Sequence, residues 1–292
     1  MIAIRASVMN ISGLLGNRLG MVASFPLELA MTTRILTWNV NGLRAAIRKG
    51  LEHWLEELKP DVVMLQEIRA RPDQLPDQWR SMDGWHVQWN PAERPGYSGT
   101  CIWSRRPIDR VEVGIAGKSD PEGRMVLARI GDLDVASIYL PSGSSSEDAH
   151  RRKQKWMKDF APHAGSLMRR RRSVLLGGDF NIARSERDIF HWKSNRSTSG
   201  FLPEEREWMD ELVGRGARDL VRDHFGDVEG PYTWWSNRGQ ARKLDRGWRI
   251  DYLLGNASAT RRMKEVHVHR EAGLAISDHA PVIIDLADSD AC

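Results

Sequence analysis

The chain has 292 residues, 41% of them hydrophobic and 28% charged, and its formal net charge at pH 7 is +4. It is long enough to bury a large core, and no stretch reaches the ~18 uninterrupted apolar residues that a membrane-spanning helix needs. Cys101 and Cys292 give neither a disulfide framework nor a metal-ligand spacing, so we expect a cytoplasmic protein without membrane contact. The small basic excess is compatible with a polyanionic partner.

Residues 1–31 differ in character from the rest of the chain. Their hydrophobic periodicity is weak, and they lack the clean apolar region of a secretory signal. The folded pattern begins directly after Met31, with the strand-like run RILTWN. We therefore expect residues 1–31 to be a disordered extension or sequence upstream of a misassigned start, and residues 32–288 to form a single domain.

From residue 34 onwards, strand-like and helix-like segments alternate. Helical periodicity, with stops at proline, predicts helices over 43–58 (despite Gly50), about 148–169 and 201–213. Apolar runs predict strands over 34–40, 61–67, 97–104, 125–130, 134–140, 174–181, 250–255, 266–270 and 281–286. Strands distributed throughout a mixed chain favour a layered α/β architecture.

The stretch VLLGGDFNIA, residues 174–183, ends a buried strand with polar side chains. Gly177 and Gly178 allow the backbone to bend or to be approached closely. If the chain stays extended, Asp179 and Asn181 point to one face while Phe180 points into the core. An Asx turn that merely closes the strand would show the same local pattern, so the rest of the chain has to decide.

Other apolar runs also stop at acids, amides, a tyrosine or a histidine. Such residues at the ends of different strands indicate a single polar cleft: Asn39, Glu67, Tyr139, Asp179, Asn181, Asp251, Asp278 and His279. Oxygen ligands without a cluster of cysteines and histidines suit a hard cation such as Mg²⁺. Carboxylates and Mg²⁺ beside a basic surface point to phosphate chemistry.

Taken in order, nine motifs resemble the exonuclease III family of AP endonucleases, within the endonuclease/exonuclease/phosphatase superfamily. They are TWNVNGLRAA, PDVVMLQE, GYSGTCIWS, EGRMV, IYLPSG, GGDFNIA, SGFLPEEREWMD, GWRIDYLL and SDHAP, and they extend over about residues 34–286. The resemblance implies a four-layer α/β sandwich of two packed mixed β-sheets flanked by helices, as in DNase I. It also implies that residues 32–288 are one catalytic domain with its site between the upper edges of the sheets.

The resemblance implies roles for the residues of the cleft. Asp179 would orient and deprotonate the attacking water, and Asn181 would bind the nucleophile or the phosphate. His279 would donate to a phosphoryl oxygen, with Asp251 fixing its tautomer, because Asp278 is its chain neighbour and faces away. Tyr139 would donate to the phosphate or the leaving group. Glu67 would hold Mg²⁺, which Mn²⁺ can replace, with further ligands among Asn39, Asp278, Asp179 and Asn181.

Family positions also imply contacts with DNA. Trp234, Trp248 and Ile250 would wall a small pocket for a flipped-out abasic sugar. Arg124 would contact a backbone phosphate. Lys193 and Asn195 lie on a long polar loop that matches the family's site-lining loop, although such a loop is also typical of a plain surface. Arg238 departs from the family pattern, because some relatives carry at this position an apolar residue that acts as a wedge in the DNA.

Together these features predict a Mg²⁺-dependent DNA-repair nuclease. It would cut 5′ to abasic sites and trim 3′ ends of double-stranded DNA that carries abasic or 3′-blocked sites. We expect a cytoplasmic, nucleoid-associated monomer. The alternatives are a phosphodiesterase of the same superfamily that acts on RNA or small phosphate esters, and a catalytically silent DNA-binding module. The second would require a lost catalytic residue, and none is lost.

Overall fold

Two six-stranded β-sheets form the centre of the structure, a computed structural model that describes residues 32–289. The strands in this range are β1 (Thr32–Asn39), β2 (Val62–Gln66), β3 (His86–Asn90), β4 (Thr100–Ser104), β5 (Arg110–Val113), β6 (Met125–Ile130), β7 (Leu133–Tyr139), β8 (Ser173–Asp179), β9 (Arg218–Asp219), β10 (Asp251–Gly255), β11 (Met263–Val268) and β12 (Val282–Ala287). The helices are α1 (Leu43–Arg48), α2 (Leu51–Leu58), α3 (Asp77–Arg80), α4 (Glu147–Met168), α5 (Pro203–Gly214), α6 (Leu220–Phe225), α7 (Ala257–Arg262) and α8 (Arg270–Ile276).

The two sheets share one strand plan. The first runs in the order β11-β12-β1-β2-β4-β3 and the second in the order β5-β6-β7-β8-β10-β9. Each sheet has a single parallel pair at its centre, β1 with β2 and β7 with β8, and antiparallel neighbours on both sides. Because parallel strands end at the same edge of a sheet, the loops that follow the two strands of each pair start next to each other.

Apolar packing joins the sheets and covers their outer faces. Between the sheets, residues such as Ile35, Met64 and Leu175 form one buried cluster. Helices α1, α2 and α8 cover the first sheet, and α4 and α5 cover the second through fully or nearly fully buried side chains such as Phe160 and Met209. The result is helix, sheet, sheet, helix, which confirms the predicted four-layer sandwich of two mixed sheets.

Several local predictions need correction. The helix predicted over 43–58 is wrong as one element, because it breaks into α1 and α2 at Gly50, whose φ of 92° lies outside the helical region. Strands β3, β5 and β9 were missed, since β9 is two residues long and β3 and β5 are partly exposed. The predicted extension over residues 1–31 lies outside the described residues, so the domain boundary stays a prediction.

Among residues 32–289, no helix combines the length and the apolar character that a membrane crossing requires. The longest, α4, has 22 residues but carries many charged side chains, including Arg151, Arg152 and Lys153.

Candidate active site

The polar strand ends of both sheets meet at one edge of the sandwich. In the first sheet, Asn39 at the end of β1 lies opposite Gln66 at the end of β2, and Glu67 follows directly. In the second sheet, Tyr139 at the end of β7 lies opposite Asp179 at the end of β8. The antiparallel strand β10 begins opposite Asp179 at Asp251, so the acids of three strands reach the same cleft.

Asp179, Asp251 and His279 form a buried cluster. His279 Nδ1 donates to Asp251 Oδ2 at 2.9 Å, and its Nε2 lies 3.8 Å from Asp179 Oδ2. This geometry makes Asp251 the histidine's partner, as the sequence predicted. One ring nitrogen is therefore fixed by a carboxylate, and the other faces the site where Asp179 ends its strand.

Electrostatics keeps this cluster in a defined protonation state. Burial raises the pKa of Asp179 to about 7, helped by the negative charge of Asp251 and opposed by His279. Burial alone would lower the pKa of His279, but the negative charges of Asp251 and Asp179 outweigh this effect and raise the pKa to about 10. Between these values Asp179 is ionised while His279 carries its proton, so the pair offers a base and an acid together.

Asn39 ties the two sheets together at the site. Its amide nitrogen donates to Glu67 Oε2 at 3.0 Å and to Asp179 Oδ2 at 2.9 Å. The Glu67 carboxylate also accepts from Arg69, a residue that the sequence analysis did not single out. The basic residue two positions after Glu67 was the available signal, but a single arginine after a strand is common.

Asn181 is held through its backbone and its side chain, and its backbone N–H donates to Asp179 Oδ1 at 2.8 Å. Its side-chain nitrogen donates to Leu140 O at 2.9 Å and to Asp179 Oδ2 at 3.1 Å, so both amide protons are used inside the protein. What Asn181 offers to a ligand is therefore its amide oxygen, an acceptor. Asn181 has a φ of 50°, in the left-handed region, and so do Asn41 (48°) and Glu67 (55°). Such conformations cluster at functional sites.

Arg124 lies beneath Tyr139. Its Nη1 donates to Tyr139 O at 3.0 Å, its Nη2 donates to Tyr97 Oη at 3.0 Å, and its Nε bonds Glu122. Burial and the charges of the nearby acids raise the pKa of the Tyr139 hydroxyl well above its usual range, so it is a proton donor at neutral pH. The direct phosphate contact predicted for Arg124 stays a prediction, while its bonds show it supporting two tyrosines.

An aromatic wall stands beside His279. Trp234 pairs through its backbone with both Trp248 and His279, and the Trp234 and Trp248 rings meet edge to face with centroids 6.0 Å apart. Both tryptophans are partly buried against an apolar cluster that contains Ile250 and Phe201. The three residues predicted to wall the pocket are thus together, and Trp234 joins them to the acid cluster.

Asp278 lies between this wall and the first sheet. Its carboxylate accepts from Asn41 Nδ2 at 2.8 Å and from Trp234 Nε1 at 3.1 Å. Burial would raise its pKa, but the charge of His279 and these hydrogen bonds hold the pKa below its usual value. These bonds make it a brace for Trp234, and its predicted role as a metal ligand stays a prediction.

The predicted DNA-contacting loop residues lie around the wall. Lys193 and Asn195 occupy a short 3₁₀ turn, Trp192–Asn195, whose Trp192 packs on the same apolar cluster as Trp248. Lys193 is exposed, and Asn195 donates to His191 O at 2.8 Å. Arg238 is exposed in the loop that leads from Trp234 to Trp248. The structure therefore leaves these cationic side chains free to face a polyanion.

The donor chemistry of the cleft fits a hard divalent cation. Glu67, Asp179 and the Asn181 amide supply oxygen atoms, and no cysteine of the described range lies among them. Among residues 32–289, one group of acids and histidines has ligand atoms within 4.8 Å of one another, namely Asp179, Asp251 and His279. One ring nitrogen of His279 is already hydrogen-bonded to Asp251. The side-chain oxygens of the cleft are therefore better candidates for metal ligands than this histidine.

Comparison with known proteins shows which family the chain is similar to. The model of the Endonuclease/Exonuclease/phosphatase family matches residues 36–279. The chain is 33% identical to an exodeoxyribonuclease of Bacillus subtilis (strain 168), over 85% of this chain and 97% of that one. It is 32% identical to the DNA repair nuclease APEX1 of Danio rerio, over 88% and 83%. The structure of a 3′ phosphatase, NExo from Neisseria, bound to a product DNA hairpin, is similar with a TM-score of 0.80 and 29% identity, over 87% and 99%.

Proposed function

The chain belongs to the endonuclease/exonuclease/phosphatase family, and from this membership and the site we propose that it is a metal-dependent nuclease of DNA repair. Its substrates are abasic sites in duplex DNA, cut on their 5′ side, and blocked or recessed 3′ ends. The observation that carries this proposal is the contact of Trp234 with both His279 and Trp248. This contact supports an aromatic wall, suited to a sugar without a base, beside groups suited to phosphodiester hydrolysis.

The cluster supports hydrolysis by an in-line water. Ionised Asp179 accepts the proton of the attacking water, and the Asn181 amide oxygen orients that water from the same strand end. Protonated His279, held by Asp251, donates its Nε2 proton towards a phosphoryl oxygen. The neutral Tyr139 hydroxyl supplies a second donor, for the phosphate or the leaving oxygen.

We propose Mg²⁺ as the metal, with Mn²⁺ as a substitute. Glu67 would be its principal ligand, and Asn39, Asp278, Asp179 and Asn181 are the residues that would complete or border the ligand set. A bound divalent cation neutralises charge on the phosphoryl oxygens. The family relation and the acidic cleft support a divalent metal, and the oxygen donors favour these two ions.

We propose that the protein acts as a monomer in the cytoplasm, at the nucleoid where such a substrate lies. Arg124, Lys193, Asn195 and Arg238 are its proposed contacts to the duplex. The alternative of RNA or a small phosphate ester as substrate is disfavoured by the aromatic wall, which neither substrate requires.

A duplex with one central tetrahydrofuran abasic analogue tests the activity. With Mg²⁺ we expect a single cut on the 5′ side of the lesion, and with EDTA we expect none. A matched duplex with a 3′-phosphate end tests the trimming reaction. Cleavage of neither duplex, with an RNA hairpin or a phosphate ester cleaved instead, would contradict the proposal.

Trp248→Ala should separate the two reactions. Loss of the indole removes apolar contact with the sugar, and burial of such a surface is worth about 1.5–3 kcal/mol, so we expect abasic incision to fall roughly 10- to 100-fold. Release of a 3′-phosphate, which does not need the sugar pocket, should fall much less. Trp54→Ala, in the outer helical layer against His269, is the matched control. Equal losses in both reactions would contradict the pocket assignment.

A further inference from the structure

A fully buried ion pair lies behind the site. Lys153 on α4 and Glu205 on α5 have no exposed side-chain surface, and Lys153 Nζ lies 2.6 Å from Glu205 Oε1. Lysine and glutamate are seldom buried completely, because removing both charges from water costs several kcal/mol per ion. A pair of apolar residues would serve stability as well, so the pair requires another explanation.

The contacts of Lys153 lead to the catalytic strand end. Its ammonium donates to Asn181 O at 2.9 Å and to Ser142 O at 3.3 Å, besides Glu205. Asn181 has an uncommon left-handed backbone (φ 50°), and the bond from Lys153 to its carbonyl oxygen helps to hold it. Ser142 belongs to the loop that follows Tyr139. One cation therefore fixes the segments behind two proposed catalytic groups.

The contacts of Glu205 lead to the pocket. Its Oε2 accepts from the backbone N–H groups of Gly200 at 2.6 Å and of Leu202 at 3.1 Å. Gly200 in turn accepts from Ala183 N at 2.8 Å, and a Cβ at Gly200 would lie 3.1 Å from the Trp248 ring. The carboxylate thus holds the loop on which the aromatic wall rests.

We propose that Lys153 and Glu205 act as a positioning pair, which fixes the backbone of Asn181 and the Gly200 loop so that the Asn181 amide oxygen and the sugar pocket keep a constant spacing. Neither residue contacts the substrate. Burial lowers the pKa of Lys153, while the charge of Glu205 favours its protonated form. The kinetic test of this inference rests on the proposed nuclease function. The hydrogen-exchange test rests only on the geometry of the pair.

The test compares a neutral pair with a cationic replacement. Lys153→Met combined with Glu205→Gln removes both charges, keeps an acceptor for Gly200 N–H and avoids an unpaired buried charge. We expect kcat on the abasic duplex to fall about 10- to 100-fold, as misplaced groups do, with KM changed less than about threefold. The single substitution Lys153→Arg keeps a cation that can bond Asn181 O and Glu205, so this variant should retain most of the kcat of the unchanged protein. Lys155→Met, on the exposed face of the same helix, is the matched control.

Amide hydrogen exchange gives a readout that does not depend on activity. In the double variant, residues 181–183 and 200–202 should exchange faster, while strands β1 and β2 should exchange as in the unchanged protein. An unchanged kcat with unchanged exchange would overturn the proposal, as would a kcat loss that merely follows the unfolded fraction. If the unchanged protein cleaves no abasic duplex, the proposed function fails, and the exchange result still decides whether the pair positions Asn181.

Discussion

Asp179→Asn should reduce cleavage of the abasic duplex at least about 1,000-fold, since it removes the base that accepts the proton of the attacking water. Asparagine has nearly the same shape and keeps one oxygen for the Asn39 and Asn181 side-chain amides, while its NH₂ group replaces the oxygen that accepts from the Asn181 backbone N–H. It also removes a negative charge close to the scissile phosphate, so the dissociation constant for uncleaved abasic DNA should stay the same or decrease. Single-turnover cleavage and equilibrium binding in EDTA measure the two effects separately.

The same substitution should not destabilise the protein. Because burial raises the pKa of Asp179 above its usual value, the folded state disfavours the ionised form relative to the unfolded chain. At pH 8 a neutral side chain removes that penalty, so the melting temperature should be unchanged or higher. Asp159→Asn, an exposed acid paired with Lys155, is the control for a generic loss of charge. Substantial residual cleavage would show that Asp179 is not the catalytic base, and a marked fall in melting temperature would contradict the argument that the folded state disfavours its ionised form.

Much of this site was predictable because it is built from strand ends. Asp179 and Glu67 each follow an apolar run, Asp251 precedes one at the start of an antiparallel strand, and the sandwich brings all three to one edge. The pairing of His279 with Asp251 was implied by the family resemblance, and alternation argued only against Asp278, its chain neighbour. Here the local pattern and the tertiary structure carry the same information.

What the sequence could not supply are the bonds between segments distant in the chain. A lysine on an amphipathic helix normally marks the solvent face, yet Lys153 is buried because Glu205, 52 positions later, faces it. Similarly, Gly50 within a helical pattern gives no sign of whether the helix continues, and here it breaks. Such features depend on which surfaces meet.

The segments WNVNG (residues 38–42) and GDFNI (residues 178–182) are similar, which suggests two related halves, but they end β1 and β8, and these strands do not correspond in the two sheets. By strand order, β1 corresponds to β7 and β2 corresponds to β8. Asn39 therefore matches Tyr139 in position, and the segment that ends in Glu67 matches the segment that ends in Asp179. Each half supplies one acid at the end of its second parallel strand, Asp179 as the last residue of β8 and Glu67 as the residue after β2, and both accept from the Asn39 amide.

The protonation of His279 provides the second large effect, through Asp251→Asn. The charge of Asp251 is the main influence that raises the pKa of His279 against the effect of burial, so its removal should lower that pKa. The active form carries the proton, and activity is therefore lost as the pH rises through the pKa. At pH 7.5 we expect cleavage to fall about 100-fold or more.

The shape of the pH profile distinguishes this explanation from a general loss of structure. In the unchanged protein, activity should rise as Asp179 ionises, at or below about pH 7, and should then hold until His279 deprotonates near pH 10. In Asp251→Asn the alkaline fall should move to lower pH, so that the ratio of the two activities grows steadily from pH 6.5 to 9. Glu57→Gln, which removes the carboxylate beside the exposed His53, is the matched control and should leave the profile unchanged. Parallel profiles for Asp251→Asn and the unchanged protein would show that His279 does not act as the protonated donor, because the donor's availability would then be independent of the carboxylate that holds its charge.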